Sequence, residues 1–185
     1  LVHFDAGPHN FIQAAGTLKL FDFEFAGLGN GLIDVVGARM AFPVAYHGRR
    51  LPAPVVEALE SSYRVERLAA IPQAVETAFF RSALAHACAH WALTKLWGFW
   101  KNYLRDRLVQ GPDYDAQDGW DTERAAYFRQ MIFTYLFTFV ETTRRWACLP
   151  TLRSVMGRVM DALRGHWPDL EPWPLYPAFA GWTSS

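Results

Sequence analysis

Close to the start of the sequence, His3, Asp5, Asn10, Asp22 and Asp34 have the side-chain types and spacing for chemistry on phosphate. His3-Phe4-Asp5-Ala6-Gly7-Pro8-His9-Asn10 fits the pattern His-x-Asp-x-x-x-x-Asn, and Phe21-Asp22-Phe23-Glu24 follows it. Moving a phosphoryl group from a nucleoside triphosphate gathers negative charge on oxygens, and magnesium neutralises that charge. Magnesium takes hard oxygen donors, so a carboxylate and a side-chain amide suit it. Asp22 and Asn10 supply those two groups. The acceptor hydroxyl must be aligned and lose its proton as the new bond forms, which needs a carboxylate not committed to the metal. Asp5 is that carboxylate. Taken singly, an Asp or Asn here would read as a turn or cap residue; it is the joint spacing that carries the chemistry.

The phrase from Leu1-Val2-His3-Phe4-Asp5 to Gly7-Pro8-His9-Asn10-Phe11-Ile12 resembles the catalytic loop of the aminoglycoside phosphotransferase and choline kinase family, usually His-Gly-Asp with a Pro and an Asn behind it. Phe21-Asp22-Phe23-Glu24-Phe25-Ala26-Gly27 is similar to that family's metal-binding segment, and Gly29-Asn30-Gly31-Leu32-Ile33-Asp34-Val35 to its following Asp-Pro-x-x-Asp-Leu segment. The resemblance implies a protein-kinase-like fold, ATP as co-substrate and Mg2+ as cofactor. It implies that Asp5 is catalytic, that Asn10 and Asp22 bind the metal, and that His3 and Asp34 support the site, Asp34 as a brace for the loop. It also implies an N-terminal lobe with a phosphate-covering loop and a lysine. That lobe is not in this sequence, whose lysines are Lys19, Lys95 and Lys101. Residues 1–185 are thus expected to be the C-terminal, catalytic lobe, with Leu1 internal to a longer protein and the fragment alone inactive. Phe4 in place of Gly, and Asn30-Gly31 in place of Asp-Pro, depart from the family pattern: the first crowds the loop and the second weakens the brace.

The elements that must position these residues are short at first. Asn10-Phe11-Ile12 and Leu18-Lys19-Leu20-Phe21 flank Ala14-Ala15-Gly16-Thr17, a hairpin connection with a turn glycine. A helix is expected from Leu32. From Pro54 the pattern turns helical: residues 54–70, with Val55, Leu59, Ser62 and Tyr63 on one side, then a long helix over residues 74–108. There Phe80, Leu84, Ala87 and Trp91 recur at helical steps. Phe79, Leu93, Trp97 and Trp100 widen that stripe and predict burial on more than one side. Residues 122–147 form the next helix, with Phe128, Met131, Ile132, Tyr135 and Phe139 inward. The last begins near Pro150, with Leu152, Val155, Met156, Val159 and Leu163 inward. From Pro168 the chain reads as an irregular strap. The fold class is mainly α, a helical bundle with a short β-hairpin that carries the catalytic and metal-binding loops.

Composition agrees with a folded domain: 51% of residues are hydrophobic and 19% charged, the reverse of a disordered profile. A formal net charge of zero argues against a nucleic-acid partner held by phosphate neutralisation. The apolar runs are broken by charge or fall short of the ~20 residues a membrane span needs. A cytoplasmic protein with two reduced, buried thiols, Cys88 and Cys148, is the expectation.

Other clusters say less. His86 and His90 are one helical turn apart, but zinc needs three or four ligands and Cys88 points to another face. Arg49-Arg50 and Arg144-Arg145 read as surface charge. Asp113, Asp115, Asp118 and Trp120 lie in an acidic, aromatic loop whose Asp121 suits a helix cap. The loop is a candidate substrate-binding segment for a cationic acceptor, because aromatic faces attract ammonium groups. The expected function is transfer of the γ-phosphate of ATP to a hydroxyl of a small molecule of aminoglycoside, choline, amino-alcohol or sugar type. The alternative is a non-catalytic kinase-like binding or scaffold protein.

Overall fold

The computed structural model describes residues 1–41, 48–68, 70–72, 76–99 and 122–180 of the chain. These are mainly helical, with one two-stranded antiparallel sheet. The chain divides into two compact units, Leu1–Cys88 with Pro174–Ser185, and Ala89–Trp173.

The first unit opens with Val2, whose N–H and C=O both pair with Gly27 at 2.8 and 3.0 Å. That bridge closes the segment between them into one loop system. Inside it, a single helical turn (Pro8–Asn10) leads into β1 (Phe11–Ala14), which pairs with β2 (Thr17–Leu20) in the register Phe11–Leu20 to Ala14–Thr17. The two turn residues, Ala15 (φ 51°) and Gly16 (φ 76°), are both left-handed, the geometry that matches the twist of a tight hairpin. Helix α1 (Leu32–Arg39) then packs on α2 (Ala53–Arg67). Proline in the first turn of α2 fits because its missing N–H would be unpaired there anyway. Ile33, Val36 and Ala38 of α1, Met40 just after it and Val56 of α2 are buried. Among them lies a two-pronged ion pair: Arg39 Nε and a terminal nitrogen donate to the Glu60 oxygens at 2.6 and 2.7 Å. Burial opposes the Arg39 charge, and the bonds and charge of Glu60 outweigh it, so the guanidinium is held above its ordinary pKa.

Helix α3 (Thr77–Phe99) runs from the first unit into the second. The second unit continues with α4 (Thr122–Arg145), packed against α5 (Pro150–His166). Met131, Ile132, Phe133, Tyr135, Leu136 and Phe139 of α4 and Met156, Met160 and Leu163 of α5 form its core. Trp173, buried beside them, donates its backbone N–H to the Thr134 hydroxyl at 2.8 Å. None of the described helices is long and apolar enough to cross a membrane.

Several expectations need correction. Phe80, Leu84, Ala87 and Trp91 are buried, but Phe79, Leu93 and Trp97 are 47, 43 and 67% exposed, so α3 has one buried face rather than several. Its described part starts and stops inside the range read from sequence, and residues 100–108 lie outside the described residues. In α2 the buried positions are Val56 and Glu60, while Leu59 is exposed. Val155 of α5 is also exposed, and Cys148 is only half-buried whereas Cys88 is buried. His86 and His90 are exposed. Arg50 is not simple surface charge. Its N–H donates to the Pro174 carbonyl and its own carbonyl accepts from Tyr176, fastening the C-terminal strap, and burial lowers its guanidinium pKa.

Candidate active site

All the described site residues belong to the first unit. The segment Val2 to Gly7 is not regular structure, so side chains must hold it. Asp34, in the first turn of α1, does most of this: one carboxylate oxygen accepts the N–H of His3 and the other that of Phe4, both at 2.8 Å. A carboxylate accepting two backbone N–H groups is a strong, charge-assisted clamp. Asn30 and Gly31 leave this clamp intact. Asn30 instead accepts the Leu32 N–H through its side-chain oxygen at 3.0 Å and so starts the helix that carries Asp34.

His3 is 4% exposed and links the two halves of the site. Its Nε2 donates to the Phe21 carbonyl at 2.8 Å, since a carbonyl only accepts, and this leaves Nδ1 to accept the Asp5 N–H at 3.3 Å. The ring also meets Phe23 edge-on, with centroids 4.7 Å apart. One imidazole therefore ties the Asp5 backbone to the residue before Asp22.

Asn10, 3% exposed, donates its amide nitrogen to the Asp5 carbonyl at 2.8 Å and to Asp5 Oδ2 at 3.0 Å. Its amide oxygen accepts from none of the described residues. Across the hairpin the Phe21 N–H donates to the Asn10 carbonyl at 3.0 Å, extending the ladder one step past β1 and β2 and bringing Asp22 to the same end. Asp22 is left-handed (φ 63°, ψ 60°), a conformation Asp tolerates better than most residues. Its exposed carboxylate makes no hydrogen bond or ion pair among the described residues. His3, Asp5, Asn10 and Asp34 are thus joined by direct hydrogen bonds, and Asp22 reaches the group through Phe21.

Phe4 is also left-handed (φ 64°), which explains physically why a glycine would be easier there. Its ring lies over Gly27 and Gly29. A Cβ on Gly29 would stand 2.9 Å from the tip of that ring and 3.3 Å from Val2. The crowding expected from Phe4 is taken up by these glycines.

His9 is the residue the motif reading passed over. Its Nε2 lies 3.2 Å from Asp5 Oδ2. A histidine four residues after the carboxylate, within Gly-Pro-His, was the available signal. Beside the loop, a largely apolar cavity of about 790 Å³ is bounded by Ala6, Phe11, Asp34, Val35, Leu59 and Tyr63. The candidate acceptor residues Asp113, Asp115, Asp118 and Trp120 lie outside the described residues, as does Asp121.

The donor set fits magnesium. The Asn10 amide is turned so that its oxygen is free, and the Asp22 carboxylate is uncommitted; two such ligands, completed by phosphate and water oxygens, are what this ion commonly takes from a protein. Among the described residues no group of three or more His, Cys, Asp or Glu side chains suits a metal. No family model matches the chain, and no curated protein matches it.

Proposed function

We propose that this chain is the catalytic lobe of a small-molecule kinase, transferring the γ-phosphate of ATP to an alcohol. The observation that carries the proposal is the clamp of Asp34 on residues 3 and 4, together with the Asn10 bond to Asp5. These fix an otherwise irregular loop around one carboxylate. A turn residue of no further consequence would not need both supports.

In this proposal the acceptor oxygen attacks the γ-phosphorus while the bond from that phosphorus to the β,γ-bridging oxygen breaks, and ADP leaves. Asp5 aligns the hydroxyl and takes its proton. Asn10 and Asp22 would hold Mg2+, which supplies charge neutralisation to the phosphate oxygens when bound. His3 and Asp34 keep the carboxylate and the metal-side loop at fixed separation. The exposed hairpin supports a second lobe: Ile12, Leu18 and Phe21 show 52, 66 and 40% of their surfaces. Covering them with a nucleotide and its lobe would remove apolar area from water. Aminoglycoside, choline, amino-alcohol and sugar acceptors all remain in the proposed class, because pocket shape and not the loop selects among them.

The second proposal, a non-catalytic kinase-like binding protein, draws on Phe4, whose strained backbone departs from the family's glycine. One experiment separates the two. The complete gene product is offered Mg2+ and ATP with ethanolamine, choline, kanamycin and glucose in turn, and ADP release is followed. Release with at least one acceptor, lost in Asp5→Asn by a factor of about 100 or more, is expected. Magnesium-dependent ATP binding without acceptor-dependent release would favour the binding protein.

A further inference from the structure

His9 belongs to the candidate loop but has no part in the proposed transfer. Its Nε2 faces Asp5 Oδ2 at 3.2 Å, and the Asn10 amide nitrogen faces the same oxygen at 3.0 Å. An ionised carboxylate only accepts, so both nitrogens donate to it. Oδ2 therefore has two donors, while Oδ1 has none among the described residues. Two donors on one oxygen fix the plane of the carboxylate and leave the other oxygen as the proton acceptor.

Gly7 supplies a second observation. A Cβ there would fall 2.6 Å from His9 Cε1 and 2.8 Å from Nδ1. Gly7 sits at φ −83°, ψ 162°, ordinary extended backbone, so it is not needed for unusual dihedrals. What it provides is room for the imidazole. The following turn, closed by the Asn10 N–H on the Gly7 carbonyl at 2.9 Å, carries His9 and Asn10 to the same carboxylate.

We infer that His9 is a positioning residue for phosphotransfer: packed on Gly7, it holds Asp5 Oδ2 so that Oδ1 meets the acceptor hydroxyl. The His9 and Asp5 side chains are 39 and 37% exposed, so their contact adds little to folding and its effect belongs in turnover. The inference rests on the phosphotransfer proposal, and the test keeps the two apart. Steady-state kinetics are measured on the complete gene product with Mg2+, ATP and whichever of ethanolamine, choline, kanamycin and glucose releases ADP, with Asp5→Asn as control. His9→Ala lowers kcat about tenfold and leaves KM for ATP and acceptor within about twofold, because orientation and not binding is lost. His9→Gln, which returns an N–H donor, recovers most of kcat. Gly7→Ala falls like His9→Ala, and the double variant is no slower than His9→Ala alone, as two changes to one contact require. An undiminished kcat in His9→Ala, or losses that multiply in the double variant, overturns the role of His9 and leaves phosphotransfer standing. Wild-type ADP release no greater than that of Asp5→Asn overturns both.

Discussion

Phe4 holds the main strain within the candidate loop. A left-handed backbone costs a residue with a Cβ about 1 kcal/mol, and Phe4 bears this while its ring covers Gly29. Phe4→Ala loses the ring and keeps the strain, whereas Phe4→Gly loses both. The glycine variant should therefore be the more stable of the two by about 1 kcal/mol, read as the difference in urea midpoint; equal midpoints would mean the loop does not hold this conformation. Part of the candidate site at this scale was legible. Asp5, Asn10, Asp22 and Asp34 stand out because the proposed phosphate chemistry restricts which side chains serve and how far apart they stand, and hydrogen bonds tie Asn10 to Asp5 and Asp34 to residues 3 and 4. The partner of each was not legible. Nothing in the string says that Asp34 would accept two N–H groups, or that His3 would bond Phe21. His9 was missed because its four-residue spacing from Asp5 gains meaning only once the turn is seen to bring the two side chains together.

Among the elements, the Arg39–Glu60 pair between α1 and α2 makes the clearest demand. Both side chains are nearly inaccessible, 9 and 6% exposed, so removing one strands the other's charge away from water. Glu60→Ala should cost about 3 kcal/mol or more in urea denaturation, while Arg39→Met with Glu60→Met should cost far less because no charge is left unpaired. A loss near that of an exposed ion pair, below about 1 kcal/mol, would contradict the burial. Helix starts read well from sequence, since Pro54 and Pro150 mark first turns that need no N–H. Helix faces read less well. Hydrophobicity alone cannot separate Leu84, which is buried, from Leu93, which is exposed, because apolar residues also occupy surfaces. Glu60 is the opposite case: its charge argued for solvent, and only the approach of Arg39 across two helices makes its burial tolerable.

At the scale of the whole molecule, the mainly helical architecture of the described residues was readable from periodicity, and their hairpin from its turn glycine. The division into two units was not, because it depends on contacts between distant segments, including the strap that returns to Arg50. The proposed cation site lies within one of those units: Asn10 and Asp22 would offer their oxygens to a single ion beside Asp5. Manganese is the probe for it, since it replaces magnesium in oxygen sites and broadens nearby nuclear resonances. In the complete gene product with a non-hydrolysable ATP analogue, titrating Mn2+ should broaden the signals of Asp5, Asn10 and Asp22 together, ahead of those of His86 and His90. Broadening of Asn10 and Asp22 at clearly different Mn2+ concentrations, or of the histidines first, would contradict a shared cation.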